Sequence, residues 1–399
     1  MSRVVIAAGG TGGHFFPAEA LAGQLASRGH DLVLMTDRRG GLRSHGAFAN
    51  APQHVIAGAG VAGRGRVAKL RGLAAVARGV VQARRLLATL EADAVVGFGG
   101  YPSVAPLLAA RLLGRGRPAI VVHEGNAVLG QANAQLARFA DRIATSFEVT
   151  VRLPPGRGTL TGMPVRDEIA ALAASPYPGT GGTLNLLIWG GSLGARIFSD
   201  VVPAAMAPFA GRVRVVQQAR AEDVDRVRAA YAAAGIDAEI APFLDRVAER
   251  LAAAHLVIGR AGGSSVAELA CIGRPSILVP LPIAASDEQT ANARALVAAG
   301  AAWIVPQRDF TEAALSALLA ELFAALERLA EAAAAAAALG RHDAASRLAD
   351  LVEGQLRASI EWGSGACSPQ RSPEASREGV LRTTPLAFFK PEKQTEQSL

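Results

Sequence analysis

The stretch 256–294, LVIGRAGGSSVAELACIGRPSILVPLPIAASDEQTANAR, decides how the rest of the chain is read. Leu256-Val257-Ile258 is a short apolar run of the kind that forms a buried strand. It enters Gly259-Arg260-Ala261-Gly262-Gly263-Ser264-Ser265, and Val266-Ala267-Glu268-Leu269-Ala270 then begins a helix. Strand, glycine-rich turn and helix together form an anion cradle. Glycine lets the backbone come close, and the N–H groups of the first helical turn point at the ligand. A second strand, Ser276 to Val279, leads into a Pro-rich loop ending in Asp287-Glu288-Gln289. A nucleotide laid on this helix start meets Glu268 one turn in, and a carboxylate accepts hydrogen bonds from both ribose hydroxyls. Gln289 approaches from the next loop.

The same plan recurs along the chain. Val4 to Ala8 reads as a strand, followed by Gly9-Gly10-Thr11-Gly12-Gly13-His14 and a helix from about Pro17 to Arg28. A strand over 94–98 ends in Gly99-Gly100-Tyr101-Pro102. A strand over 119–123 ends in Glu124-Gly125-Asn126, which reads as the cap of a helix over 128–140. Leu184 to Trp189 is a strand followed by Gly190-Gly191-Ser192-Leu193-Gly194-Ala195-Arg196 and a helix. Strands alternating with helices at this spacing predict parallel sheets covered on both faces. The Pro-, Gly- and Thr-rich segment 152–183 marks a boundary between two halves. The expected class is α/β, with two Rossmann-like parallel-sheet domains facing a cleft. The boundaries fall at 1–161 and 162–340, with a helix over 341–358 and a disordered tail over 361–399.

Half of the 399 residues are hydrophobic, enough for two cores, and the net charge of +7 favours an anionic partner. Charge alone leaves nucleic acid, an anionic membrane surface and a phosphorylated substrate open. Two cysteines, Cys271 and Cys367, make neither a disulfide framework nor a metal-site spacing and fit a reducing cytoplasm. There is no zinc or calcium pattern, so no metal or other cofactor is expected, and no aromatic-plus-basic platform, so no nucleic acid. No apolar run reaches the ~18 residues of a membrane span. A basic amphipathic helix covers the region of Arg64, Arg66, Lys69, Arg71, Leu73 and Val80. It suits an anionic lipid surface, or an ordinary domain helix with a solvated basic face.

His14 directly follows the first glycine turn, at a helix start, where a base can take a proton from a hydroxyl; a buried histidine bonded to backbone is the other reading. Asn126 lies just past a strand's C-terminal end, where ligands collect in open parallel sheets. Arg166, in Gly162-Met163-Pro164-Val165-Arg166, follows the boundary and can enter the cleft. Ser192 can donate to a diphosphate or cap its helix. The first turn fits the dinucleotide fingerprint poorly, because Phe15 stands where the last glycine belongs.

In this order, GGTGGHFFPA, GFGGYPS, HEGN, GMPVR, GGSLGAR and GRAGGSSVAELACIGRPSILVPLPIAASDEQTANA resemble the motifs of the MurG family. These are the UDP-N-acetylglucosamine transferases that convert lipid I to lipid II in peptidoglycan synthesis. The resemblance covers about residues 3–355. It implies a GT-B fold in which the last helix returns to the N-terminal domain. That domain faces acceptor and membrane, and the C-terminal domain holds the UDP-sugar. It also implies inverting transfer to the 4-hydroxyl of the N-acetylmuramyl unit of lipid I, at the cytoplasmic face of the plasma membrane, with cell-wall or division proteins as further partners. Matched position by position, it assigns UDP-N-acetylglucosamine binding to Thr11, Gly12, Gly13, Asn126, Arg166, Ser192, Leu244, Gly263, Ser264, Ser265, Val266, Ala267, Glu268 and Gln289. The chain departs from the family at Gly125, where glutamine is usual, and at Glu288, where histidine or glutamine is common. Two other readings are a different GT-B glycolipid synthase and a non-catalytic UDP-binding module.

Overall fold

Two parallel sheets carry the fold in the computed structural model, which describes residues 1–9, 12–38, 40–42, 44–58, 66–173, 175–191, 194–282 and 287–363, with the backbone alone for 66–69 and 357–363. The first half comprises β1 (Arg3–Ala7), α1 (Gly12–Ser27), β2 (Asp31–Thr36), β3 (Gln53–Val55), α2 (Arg66–Leu90), β4 (Ala94–Gly97) and α3 (Gly100–Arg111). It continues with β5 (Ala119–Glu124), α4 (Gln131–Leu136), β6 (Arg142–Thr145) and β7 (Gly158–Leu160). Strand order is β3-β2-β1-β4-β5-β6-β7, with all neighbours parallel. Successive side chains of a strand point to opposite faces. So Val4 and Ile6 enter one core with α1, while Val5 and Ala7 enter another with Ala83 and Leu87 of α2.

The second half follows α5 (Asp167–Ala170). It comprises β8 (Leu184–Trp189), α6 (Arg196–Met206), β9 (Val213–Gln218), α7 (Val224–Ala233), β10 (Asp237–Ala241) and α8 (Val247–Ala253). Then come β11 (Leu256–Gly259), α9 (Gly263–Ile272), β12 (Ser276–Leu278), α10 (Glu288–Ala298) and β13 (Ala302–Ile304). The order β10-β9-β8-β11-β12-β13 is again parallel throughout. In both sheets the order reverses beside the first strand, at β1/β4 and at β8/β11. The crevice outside the strand ends at such a reversal is where this architecture binds ligands.

Three helices close the described chain: α11 (Glu312–Ala324), α12 (Glu327–Leu339) and α13 (Ala344–Gly363). α13 leaves the second half and buries Leu348, Ala349, Val352 and Leu356 in the first core. Arg28, just past α1, pairs with Asp350 at 2.6 Å, and His30 meets Glu353 at 3.0 Å.

The structure corrects several local expectations. α1 begins at Gly12, so His14 lies inside its first turn rather than before the helix. Pro17 has no N–H to give the Gly13 carbonyl four residues back, and that carbonyl instead accepts from the Ser264 hydroxyl at 3.1 Å. α4 is short and capped by Gly130, so Asn126 is not its cap. The helix expected over 341–358 is α13, which starts at Ala344 and runs on to Gly363. β7 and β13 are three-residue edge strands that the sequence pattern does not single out: Gly-Thr-Leu of β7 has no apolar run, and Ala-Trp-Ile of β13 lies in an apolar run too short to tell strand from helix.

Arg274, only 1% exposed, ties the second half together. Its guanidinium donates to the carbonyls of Leu251 (3.0 Å), Ala252 (2.6 Å), Ile272 and Gly273 (both 2.9 Å) and Pro176 (3.1 Å), and stacks 5.9 Å from the Tyr177 ring centre. Most of these carbonyls lie at the C-terminal ends of α8 and α9, where a positive charge is favoured, and of them Leu251 also accepts the Ala254 N–H at 3.1 Å. Arg274→Leu strands them in the interior. The expected loss is about 3 kcal/mol or more in urea unfolding; a loss below ~1 kcal/mol would contradict the clamp.

Candidate active site

The two crevices face each other across a cleft of about 820 Å³. The domains touch backbone to backbone at its floor. A Cβ on Gly263 would stand 2.1 Å from the Gly125 carbonyl oxygen, so any side chain there forces the domains apart. Gly125 in turn lies under Met163, whose Cε would be 2.8 Å from a Cβ at that position. A side chain at 125 would only require the flexible end of Met163 to move aside.

His14 projects from α1 into the cleft. Burial lowers its pKa, while a hydrogen bond to the Phe98 backbone and the charge of Glu288 act in the opposite direction. The ring is thus held neutral, and one nitrogen donating to the Phe98 carbonyl leaves the other as an acceptor. Behind it, His123 is fully buried, stacks on Phe98 at 5.1 Å and lies 3.2 Å from the Gly162 carbonyl and 3.3 Å from Ser146 Oγ. Burial pushes its pKa down to about 4. Below pH 6.5 the unfolded chain binds a proton that folded His123 refuses, so stability is lost as pH falls from 6.5 toward 4. At pH 5 this amounts to about 2 kcal/mol. Between pH 7 and pH 5, urea unfolding of the parent should fall by that much more than that of His123→Gln; parallel losses would contradict it.

The second domain answers with an ion pair. Arg166 Nε donates to Glu268 Oε1 at 2.9 Å and Nη2 to Oε2 at 3.1 Å, while Nη1 reaches Glu168 at 3.1 Å. The guanidinium lies 5.1 Å from the centre of the Phe16 ring. Glu268 is 3% exposed. Burial raises its pKa, and Arg166 opposes that rise. Arg260 also lines the cleft, held by the carbonyls of Val279 (3.0 Å) and Pro280 (3.3 Å) and by Gln307 Oε1 (2.8 Å). Among the described residues no carboxylate pairs with Arg260, and burial lowers its pKa. The described lining holds four arginines against two glutamates, so the cleft suits a diphosphate.

The comparisons agree with this geometry. The glycosyltransferase family 28 N-terminal domain matches residues 4–145 and the family 28 C-terminal domain matches residues 185–348. The UDP-N-acetylglucosamine--N-acetylmuramyl-(pentapeptide) pyrophosphoryl-undecaprenol N-acetylglucosamine transferase of Gluconobacter oxydans is 61% identical over 89% of this chain and 99% of that relative. The protein of the same name from Granulibacter bethesdensis is 56% identical over 88% of this chain and 94% of its own length. The crystal structure of Acinetobacter baumannii MurG superposes with a TM-score of 0.74 at 32% identity, covering 89% of this chain and 100% of that one. The chain belongs to the MurG family. Its architecture is accordingly the GT-B glycosyltransferase fold.

Most residues assigned through the MurG-family resemblance converge on the cleft: Gly12, Gly13, Asn126, Arg166, Leu244, Gly263, Ser264, Ser265, Glu268 and Gln289. Val266 points instead into the second core, and Ala267 packs against it, so these two offer only backbone to a ligand at the start of α9. Gln289 Oε1 accepts from the Leu281 N–H at 3.0 Å. Thr11, Ser192 and Arg64 lie outside the described residues, as do the side chains of Arg66 and Lys69 and the tail from 364 onward. Arg71 and Leu73 are exposed on α2, whereas Val80 is partly buried against the core that α2 shares with Val5 and Ala7 and faces inward. Sequence reasoning missed Arg260, Phe16, Glu288 as the charge beside His14, and Asn292. Arg260 had a signal: an arginine in a glycine turn directly after a strand. Among the described residues no group of three or more His, Cys, Asp and Glu is placed to hold a metal ion, and no helix is long and apolar enough to cross a membrane.

Proposed function

We infer that the chain transfers N-acetylglucosamine from UDP-N-acetylglucosamine to the N-acetylmuramyl unit of lipid I, forming lipid II. The observation that carries this is the cleft itself. A neutral histidine from one domain faces an anion-binding helix start and an Arg166–Glu268 pair from the other, in a chain 61% identical to a transferase of that name. UDP lies on the second domain, its ribose hydroxyls donating to Glu268 and its diphosphate against the start of α9, Arg260 and the Arg166 side chain. The acceptor 4-hydroxyl attacks C1 of the sugar as His14 takes its proton, and UDP departs with inversion. Glu288 then stabilises the imidazolium that forms. Developing charge on the diphosphate meets fixed dipoles and arginines rather than bulk water.

The exposed face of α2, with Leu70, Arg71, Leu73 and Val81, lays the first domain on anionic lipid at the cytoplasmic face of the membrane. The test of the activity is transfer of labelled N-acetylglucosamine to a lipid I analogue with UDP-glucose and UDP-galactose as competitors. Selective transfer is expected. Tight UDP binding without transfer would move the chain to the binding-module reading, and transfer to diacylglycerol to the glycolipid-synthase reading.

A further inference from the structure

Asn292, on α10, has no exposed surface and no role in the reaction so far. Its amide spans the two domains. Oδ1 accepts the N–H of Ala127 at 2.8 Å, and Nδ2 donates to Asn126 Oδ1 at 3.0 Å and to the Ala261 carbonyl at 3.0 Å. Asn126 and Ala127 belong to the first domain, and Ala261 to the glycine turn of the second. The orientation is dictated by chemistry. Turned over, the amide would set N–H against N–H at Ala127 and oxygen against oxygen at Ala261.

That orientation sets the next one. Asn126 Oδ1 is occupied by Asn292, so its NH₂ must face away. One N–H goes to Glu124 Oε1 at 3.2 Å, which also accepts the Asn126 backbone N–H at 2.9 Å. Glu124 Oε2 is itself filled by the N–H of Gly130 and by Asn133 Nδ2, both at 2.9 Å. Among the described residues the remaining N–H of Asn126 meets no acceptor and faces the cleft it lines. We propose that Asn292 is a positioning residue which, when the domains meet, fixes the Asn126 amide so that it offers a donor, not an acceptor, to a sugar hydroxyl. Sugar recognition is thereby coupled to domain closure, since the partner that orients Asn126 arrives from the other domain. This rests on the reading of the cleft as a UDP-sugar site.

Asn292→Asp tests it. A carboxylate has acceptors only, so it repels Asn126 Oδ1 and the Ala261 carbonyl, and Asn126 turns its NH₂ toward it. Binding is measured by calorimetry with UDP and with UDP-N-acetylglucosamine, and turnover in the same preparation. The expected result is UDP affinity within about twofold of the parent and kcat/KM for UDP-N-acetylglucosamine lower by roughly tenfold or more, since small misplacements of a positioned group cost up to ~10². In an Asn126→Ala background, Asn292→Asp should add less than about twofold, because its route runs through that amide. Equal losses for UDP and UDP-sugar, an unchanged kcat/KM, or additive losses in the double variant would each overturn the proposal. If Asn292→Asp does not fold, Asn292→Ala, which removes the donor to Asn126 Oδ1, is read by the same sugar-specific loss. Parent protein that binds UDP-N-acetylglucosamine without transfer would sink the catalytic reading alone, and the sugar-specific affinity loss would still decide the role of Asn292.

Discussion

His14→Ala is expected to lower turnover by about 10²–10⁴-fold while leaving UDP affinity nearly intact, which is the span a positioned general base contributes. The asymmetry follows from where the side chain sits. His14 comes from α1 of the first domain, whereas the residues proposed for the nucleotide, Glu268 and Arg260, belong to the second. Removing the imidazole takes away the proton acceptor and the hydrogen bond to Phe98, and touches no nucleotide contact. The pH profile provides a second reading. Burial lowers the pKa of His14 from 6.5, so the base stays competent below the ordinary range. The acid limb of kcat/KM should therefore fall below pH 6.5, and Glu288→Gln should move it further down, because the charge that raises the His14 pKa is gone. Turnover unchanged in His14→Ala would remove it as base; an acid limb that ignores Glu288→Gln would separate the two groups.

Glu268→Ala should weaken binding of UDP itself by about 10- to 100-fold, the range for losing a hydrogen bond to a charged group. The buried pair makes this effect larger than a simple truncation. Glu268 accepts two N–H groups from Arg166 at 2.9 and 3.1 Å, and burial already acts against its charge. Without it, among the described residues Arg166 keeps an ion pair with Glu168 alone, which is more than half exposed and whose attraction is screened by water. The arginine then shifts from its place over Phe16, and with it the edge of the diphosphate site. Glu268→Gln, which keeps the shape and one acceptor, should fall between parent and alanine. Calorimetry with UDP alone checks both variants. Equal affinity in parent and Glu268→Ala would sink the ribose assignment.

The local grammar of this chain is readable because strands and glycine turns are local objects. β8 matches its expected span, Leu184 to Trp189, because a mostly apolar run ended by a glycine turn has one comfortable conformation in a parallel sheet. The start of α1 is less legible, because a proline ordinarily marks a first helical turn. Here Pro17 sits inside the helix, and its missing hydrogen bond is replaced from the other domain by Ser264. Val80 shows the same limit on α2. Periodicity separates two faces of a helix, but contact with the core on the Val5 and Ala7 side of the sheet determines which of them is inside.

By itself, then, the sequence determined the two parallel-sheet halves, the order of their motifs and the family to which these point, since each depends on residues close together in the chain. Tertiary structure alone decided which side chains meet. Arg166 and Glu268 are 102 positions apart, and Asn126 and Asn292 are 166 apart. A donor finds its acceptor across a cleft only through the packing of whole domains, and for buried polar groups that pairing sets both the charge and the direction in which each faces a substrate.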